Sequence, residues 1–191
     1  SPILGQSENV VPYITHPEIV KNVKLLVPLK KLSAVLKDTS SVSILDVGCY
    51  GGYAYDWLEA YHGLDFEYTG LDFNKRAIEE AIFLHAGTSA KFKVGDLFEI
   101  DETFSADVVY CSRVLLHIPR SVEAIKKLYA VATNALVINT VVGKEDKCTQ
   151  FSADGILYYM RAISIATLDS MGLPYELSKK GSYSTIVFLK S

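Results

Sequence analysis

Short apolar runs alternate with amphipathic stretches along most of this chain. Runs of about 4–8 apolar or β-branched residues bounded by turn residues are typical of strands. They predict strands at Val42–Val47, Phe66–Leu71, Ala90–Val94, Asp107–Cys111 and Ala135–Val142. Apolar residues at helical spacing predict helices over Tyr53–Tyr61, from Asn74 to about His85, over Ser121–Val131, and from Ser152 or Asp154 to Ser170. Strands that alternate with helices indicate an α/β fold, a mainly parallel sheet with helices on both faces.

The two ends of the chain differ from this alternation. Helical spacing over His16–Lys37, interrupted at Pro28, predicts an N-terminal helical segment within residues 1–40. At the other end, Tyr175–Ser178 and Tyr183–Leu189 flank a Lys-Lys-Gly-Ser turn and predict a hairpin. No repeat or linker divides the sequence, so residues 1–191 are interpreted as one domain, with the N-terminal segment expected to cover its active site.

Composition narrows the class of protein. The 191 residues carry a formal net charge of −3, which argues against a nucleic-acid-binding surface. No apolar run approaches the roughly 20 residues of a membrane helix, and no signal pattern opens the chain, so we expect no membrane partner and a cytoplasmic location. Three separated cysteines are too few for a zinc cluster, and no metal site is expected. Nothing here indicates the oligomeric state.

The run SILDVGCYGG, Ser43 to Gly52, is the segment most informative about function. A strand-like stretch carries Asp46 near its end and breaks into a glycine-rich turn, where missing side chains let a ligand approach the backbone. A second apolar run ends in Asp72, 26 positions later (72 − 46). Asp96 and Cys111 also stand at or just past strand ends. Ligands of doubly wound sheets bind at that edge, so all four residues should converge there.

The two acidic motifs resemble those of the class I S-adenosylmethionine-dependent methyltransferases. Asp46 to Gly52 occupies the place of that family's D-x-G-x-G-x-G loop; Gly48 and Gly52 match, and Tyr50 stands where the middle glycine is commonest. The resemblance extends over residues 42 to 142. It implies a doubly wound seven-stranded sheet in the order 3-2-1-4-5-7-6, with strand 7 antiparallel, and S-adenosyl-L-methionine as the cofactor.

The resemblance also implies roles for individual residues. Asp72 would hold the cofactor ribose and Phe73 would lie against the adenine. Asp96 would take the adenine amino group, and the backbone of Leu97 would meet a ring nitrogen. The implied cofactor-binding set is Asp46, Gly48, Tyr50, Gly52, Asp72, Phe73, Asp96, Leu97 and Cys111. The segment from Asp107 to Pro119 resembles the family's fourth-strand region, which often ends in a leucine–histidine–isoleucine run.

Two residues of these motifs allow alternative interpretations. A positive φ at Tyr50 would cost about 1–3 kcal/mol; its phenol either borders the methionine end of the cofactor or packs against the following helix. His117 is the candidate catalytic base, because imidazole titrates near neutral pH; the alternative is a packing role before the next helix. Arg113 pairs either with an acidic acceptor or with a nearby acid. His16, His62 and His85 are expected at the surface or at helix ends.

The sequence therefore predicts an enzyme, a methyltransferase acting on an oxygen or nitrogen atom of a small-molecule acceptor. The N/D-P-P-Y type motif of enzymes that methylate nucleic-acid amino groups is absent after the fourth strand. Acceptor recognition is expected from residues 1–40, from Gly143–Gly155 and from the helix bearing Tyr158, Tyr159 and Met160.

Three other interpretations stay open. One is a non-catalytic, cofactor-binding or partner subunit of the same fold. Another is an NAD(P)-dependent oxidoreductase, which normally needs the G-x-G-x-x-G spacing that this loop lacks. The third is a polyamine-synthase-like transferase, for which no acidic amine-binding cluster is visible.

Overall fold

The computed structural model describes residues 41–59, 65–153 and 156–190. Its strands are β1 (Val42–Val47), β2 (Phe66–Asp72), β3 (Lys91–Val94), β4 (Ala106–Ser112), β5 (Ala132–Gly143), β6 (Lys147–Ala153), β7 (Ile156–Ser164), β8 (Tyr175–Lys180) and β9 (Tyr183–Leu189). Its α-helices are α1 (Tyr53–Glu59), α2 (Lys75–Leu84), α3 (Ser121–Val131) and α4 (Ile165–Ser170). Single 3₁₀ turns span Leu97–Glu99, Glu102–Phe104 and Leu115–His117.

The predicted sheet order is confirmed. The strands run β3-β2-β1-β4-β5, all parallel, and β9 then pairs antiparallel with β5 before β8 pairs with β9. The closing hairpin thus supplies strands six and seven of the 3-2-1-4-5-7-6 order. Because β1 to β4 are parallel, the residues that follow them gather at one edge of the sheet.

The predicted helix from Ser152 or Asp154 to Ser170 is wrong over most of its length. β6 and β7 form an antiparallel hairpin there, and only Ile165–Ser170 is helical. β7 also extends the sheet, because its last residues pair in parallel with Val141–Gly143 of β5. Tyr158, Tyr159 and Met160 therefore lie on a strand. A short run rich in isoleucine and tyrosine fits a strand as well as a helix, and the projecting end of β5 offers it a pairing edge.

The other helix boundaries agree with the sequence to within a residue or two. The Asn74 side chain caps α2, accepting the N–H groups of Arg76 and Ala77 at 3.0 and 3.3 Å. Ser121 is the first residue of α3, and Arg120 precedes it as the N-cap residue without making a side-chain capping hydrogen bond. The predicted helix over His16–Lys37 and the helix end at His62 lie outside the described residues. Within those residues, no helix has the length and apolarity needed to span a membrane.

Both faces of the sheet are covered, because inward residues alternate along each strand. On one face, Ile44 of β1 and Tyr68 of β2 pack with Tyr55 and Leu58 of α1. On the other face, the apolar stripe of α3 packs with alternate residues of β1, β2, β4, β5 and β9. The core holds the strands in register and leaves their carboxyl ends to form the site.

Asp107 ties three strands together at the opposite, amino-terminal edge of the sheet. Its Oδ2 accepts both the N–H and the hydroxyl of Ser43 at 2.8 Å, and its Oδ1 accepts the hydroxyl of Thr133 at 3.1 Å. Burial raises the pKa of this carboxyl, but the hydrogen bonds outweigh burial and leave its pKa below the ordinary value. The ionised carboxylate therefore links β1, β4 and β5.

Asp107→Ala should lower the free energy of unfolding by about 2 kcal/mol, because it leaves the Ser43 N–H without its charged acceptor. Urea denaturation measures this change. Glu67→Ala is the matched control, since Glu67 is an exposed carboxylate at the register position of Ser43. Equal losses for the two variants would contradict the role of Asp107.

Candidate cofactor and acceptor site

The loop between β1 and α1 is built by backbone conformations that favour glycine. Gly48 and Gly52 have φ of 79° and 78°, and Tyr50 has a φ of 49°, also in the left-handed region. A Cβ added at Gly48 would lie 2.1 Å from Cγ2 of Val114, so close packing requires glycine there as well. Tyr50 thus adopts the backbone that a middle glycine would adopt, and the loop keeps its shape.

Asp72 holds this loop from the end of β2. Its Oδ2 accepts the N–H of Tyr50 at 3.0 Å, and its Oδ1 accepts the N–H of Asn74 at 2.8 Å. Burial raises the pKa of Asp72, while the two N–H groups act in the opposite direction. A carboxylate has about four acceptor positions. With only the described residues considered, two remain on Asp72 for the hydroxyl groups of a ligand.

Asp46 lies behind the loop and is buried. Its Oδ2 accepts the hydroxyl of Tyr68 at 2.5 Å. Burial raises the pKa of Asp46 to about 7; the Tyr68 hydroxyl lowers it, and the charge of Asp72 adds to the increase. A carboxyl whose pKa lies this high is sensitive to any positive charge placed near it.

The remaining residues predicted to bind the cofactor lie around this pair of acids. Phe73 follows Asp72 and is 75% exposed, leaving its ring free to contact a planar ligand. The carbonyl of Asp72 accepts the N–H of Gly95 at 3.0 Å, which brings the end of β3 alongside. Asp96 caps its 3₁₀ turn through the N–H of Phe98 at 2.8 Å, and Leu97 is buried in the core.

Cys111 is placed differently from the other candidates. Its side chain is fully buried on β4, and burial raises the pKa of its thiol strongly, with Asp46 adding to the effect. It supports the site from within the core. Cofactor binding by Cys111, as by the other residues of the set, stays a prediction.

The two tyrosines beside the loop stack on each other. The ring centroids of Tyr50 and Tyr53 lie 6.2 Å apart, which is the contact expected if Tyr50 packs against α1. The ring of Tyr53 also lies over Gly51. Its hydroxyl is buried and has no hydrogen-bond partner in the described part of the chain. Such a hydroxyl is available to a polar ligand atom.

His117 is joined to the β6–β7 hairpin. Its Nδ1 lies 3.0 Å from the carbonyl oxygen of Tyr159, and because a carbonyl only accepts, Nδ1 carries the proton. The Nε2 atom is then left with its lone pair. Burial lowers the pKa of His117, the Tyr159 carbonyl opposes this, and the charge of Arg161 lowers the pKa further. The ring is therefore neutral at neutral pH.

Two arginines lie at the same edge of the sheet. Arg161 donates from Nη1 to the carbonyl of His117 at 3.4 Å. Arg113 has a φ of 59°, donates its N–H to the carbonyl of Asn139 at 2.7 Å and places its guanidinium 4.5 Å from the ring centroid of Tyr183. Neither forms an ion pair with a carboxylate of the described ranges. The structure therefore gives Arg113 an aromatic contact in place of the nearby acid considered above.

Sequence reasoning missed two residues that support the loop. Tyr68 had no visible signal, because alternate burial does not tell which hydroxyl will meet Asp46. His85 was expected at the surface or at a helix end; it is the C-cap residue of α2, but its ring is buried. Its spacing of four from Ala81, and of eight from Ala77, puts it on the buried face of α2, so helical periodicity could have found it.

Comparisons with known proteins agree with this geometry. Residues 38–176 match a family described as a methyltransferase domain. The PH0226 protein from Pyrococcus horikoshii OT3 has a similar structure, with a TM-score of 0.71, 18% identity and 94% of each chain covered. Magnesium protoporphyrin IX methyltransferase from Synechocystis PCC 6803, solved with bound SAM, has a TM-score of 0.61 and 17% identity over 91% of this chain and 79% of that one.

A third similar structure is an S-adenosylmethionine-dependent methyltransferase from Mesorhizobium loti. Its TM-score is 0.60 and its identity 14%, over 84% of this chain and 96% of that one. At these identities the likeness shows the fold alone. No curated protein sequence gives a significant match.

Asp46→Asn should weaken the pH dependence of stability. Folding raises the pKa of Asp46 from 3.8 to about 7, so the folded state holds this proton more tightly than the unfolded chain does. The contribution is fully present below about pH 4 and is lost as the pH rises to about 7. Across this window the wild type should lose stability in urea denaturation, and the variant should lose less. Asp72, whose pKa is also raised, accounts for the pH dependence of stability that remains in the variant.

Glu67→Gln, at an exposed carboxylate, serves as the control and should reproduce the wild-type profile. Parallel profiles for the wild type and Asp46→Asn would show that Asp46 does not titrate in this window.

Proposed function

Because the chain belongs to the S-adenosylmethionine-dependent methyltransferase family, we propose that it transfers the methyl group of that cofactor to an oxygen or nitrogen atom of a small-molecule acceptor. The observation that carries the proposal is the position of Asp72. It fixes the glycine loop through one backbone N–H and keeps acceptor positions for two ribose hydroxyl groups. The net charge of −3 favours a small-molecule acceptor over a nucleic acid.

The side chains around the loop fit such a cofactor. Asp72 would take the ribose, and the exposed ring of Phe73 would cover the adenine. The hydroxyl of Tyr53, which has no partner among the described residues, would meet the polar methionine end, beside the ring of Tyr50. Asp72, Phe73 and Tyr53 thus offer acceptor positions, an exposed ring and a hydroxyl, which is the chemistry that an adenosine carrying an amino acid requires.

To catalyse methyl transfer, the protein mainly has to position the two reactants and stabilise the charge of the cofactor. The bound cofactor supplies a methyl group on a positively charged sulfur, an already activated leaving group. Asp46 and Asp72 make this edge of the sheet electronegative, which suits a cation better than a pyrophosphate. In-line positioning and exclusion of water then supply most of the acceleration.

His117 is the candidate base for an acceptor that must lose a proton. The Tyr159 carbonyl keeps the proton on Nδ1, so Nε2 presents a lone pair. The lowered pKa keeps the ring neutral, and therefore able to accept a proton, at physiological pH. The β6–β7 hairpin supplies Tyr159 and Arg161 beside it, and we assign the acceptor wall to this hairpin in place of the helix expected from the sequence.

The cofactor assignment is tested by calorimetric titration with S-adenosylhomocysteine. Asp72→Asn should weaken binding about 10- to 100-fold, because lost charge-assisted hydrogen bonds cost about 1.5–3 kcal/mol each. Asp107→Asn is the matched control. It alters a carboxylate with similar hydrogen bonds at the opposite edge of the sheet, and should cost stability with little change in affinity.

Equal affinities for the wild type and Asp72→Asn would overturn the role of Asp72. Binding without turnover on any acceptor would favour the alternative that this chain is a non-catalytic, cofactor-binding subunit.

His117→Ala should slow turnover about 10²–10⁴-fold with an ionisable acceptor while the affinity for S-adenosylhomocysteine stays nearly unchanged. Arg161→Gln tests the same assignment independently. Removing the positive charge should raise the pKa of His117, so the ascending limb of the pH–rate profile should move to higher pH. An unchanged rate in His117→Ala, with lower stability instead, would show that the residue only packs.

A further inference from the structure

One buried side chain on β5 has a hydrogen-bonding atom without a partner. Asn139 is 2% exposed, and its Nδ2 donates to the carbonyl of Ser184 at 3.2 Å and to the hydroxyl of Thr185 at 3.4 Å. Because a carbonyl only accepts, the bond to Ser184 identifies the nitrogen of the amide. The Oδ1 atom is buried and has no hydrogen-bond partner among the described residues. Buried polar atoms are nearly always hydrogen-bonded, so we expect Oδ1 to accept from a bound molecule.

Asn139 lies beside the glycine loop at the carboxyl edge of the sheet. Its register partners are Ser112, the last residue of β4, on one side and Thr185 of β9 on the other. Because Nδ2 binds on the β9 side, the planar amide turns Oδ1 away from the atoms of β9. The chain that leaves β4 then reaches the glycine loop, where Val114 packs against Gly48. The unpartnered oxygen is therefore next to the segment that borders the proposed cofactor site.

Arg113 belongs to this same segment and is held by Asn139. The carbonyl of Asn139 accepts the N–H of Arg113 at 2.7 Å, and the φ of Arg113 is 59°. The guanidinium lies over the ring of Tyr183, with its carbon 4.5 Å from the ring centroid. Tyr183 precedes Ser184, whose carbonyl binds the Asn139 amide. The two side chains thus contact adjacent residues of β9.

The hydrogen-bond donors of the Arg113 guanidinium are available to a ligand. A cation over an aromatic ring is attracted by the electrons of the ring face, a contact that uses none of the five N–H donors. Arg113 is exposed, and within the described ranges it forms no ion pair. A guanidinium placed in this way can hold a carboxylate through two parallel hydrogen bonds.

We propose that Arg113 and Asn139 form the part of the acceptor site that selects a small carboxylic acid bearing a hydroxyl or amino group. Arg113 binds the carboxylate, and Oδ1 of Asn139 accepts a hydrogen from the hydroxyl or amino group. The inference rests on the proposed methyl transfer. Asp46 and Asp72 repel an anion at this edge of the sheet, and Arg113 supplies the positive charge that an acidic acceptor needs beside them.

The test is calorimetric titration of the protein saturated with S-adenosylhomocysteine. The probes are salicylate, lactate and alanine, each compared with its primary amide, which lacks the carboxylate. At least one acid should bind about 10- to 100-fold more tightly than its amide, as expected for a charge-assisted contact. Benzoate and propionate, which lack the hydroxyl or amino group, should bind about 3- to 10-fold more weakly than the matching acid.

Two variants separate the two contacts. Arg113→Gln should remove the preference for the acid over its amide, and Asn139→Leu should remove the preference for salicylate over benzoate or for lactate over propionate. Arg120→Gln is the matched control, because Arg120 also lies over an aromatic ring, 3.9 Å from the centroid of Phe98, but pairs with Glu123. Because Arg113 is exposed, its variant should fold even if Asn139→Leu does not.

Acids that bind no more tightly than their amides would overturn the proposal. So would an Arg113→Gln variant that keeps the preference of the wild type, or one whose loss Arg120→Gln reproduces. Both site variants should keep the wild-type affinity for S-adenosylhomocysteine. A wild type that fails to bind S-adenosylhomocysteine would instead contradict the cofactor site itself, so the two failures are distinguishable.

Discussion

The bond between the Asp72 carboxylate and the N–H of Tyr50 is the contact on which the site depends. It joins the end of β2 to the middle of the loop that follows β1. The Leu71 carbonyl strengthens the junction by accepting the N–H groups of Gly48 and Cys49 at 2.7 and 3.2 Å. One carboxylate therefore shapes the loop and is also the group that we propose holds the cofactor ribose. Removing it would disturb both.

Burial favours the neutral form of the two acids at this edge of the sheet. Asp46 and Asp72 are buried near each other, and the pKa of each is raised. Burial makes the ionised form of each carboxylate costly in the empty site. A cationic ligand bound nearby would stabilise the ionised form. His85 contacts the loop from below, with its Nε2 3.1 Å from the carbonyl oxygen of Gly51.

The sheet order and the acidic loop could be predicted from the sequence because both depend on local patterns. Strand ends, the glycines at 48 and 52, and the acid at 72 are visible without tertiary information. The β6–β7 hairpin could not be predicted, because the residue pattern of Ile156–Ser164 fits both a strand and a helix. Only pairing with the projecting end of β5 selects the strand. Tyr68, His85 and the Tyr159 carbonyl act through contacts of 22 to 42 residues' separation. Contacts between residues so far apart in the chain produce no recognisable spacing in the sequence around the glycine-rich loop.

A crystal structure of the chain with S-adenosylhomocysteine tests the central claim most directly. We expect both ribose hydroxyls within hydrogen-bond distance of the Asp72 carboxylate, while that carboxylate keeps its bond to the Tyr50 N–H. We also expect the ligand sulfur on the side of the sheet edge where His117 lies. A ribose bound away from Asp72, or a loop that releases Asp72 when the ligand binds, would contradict it.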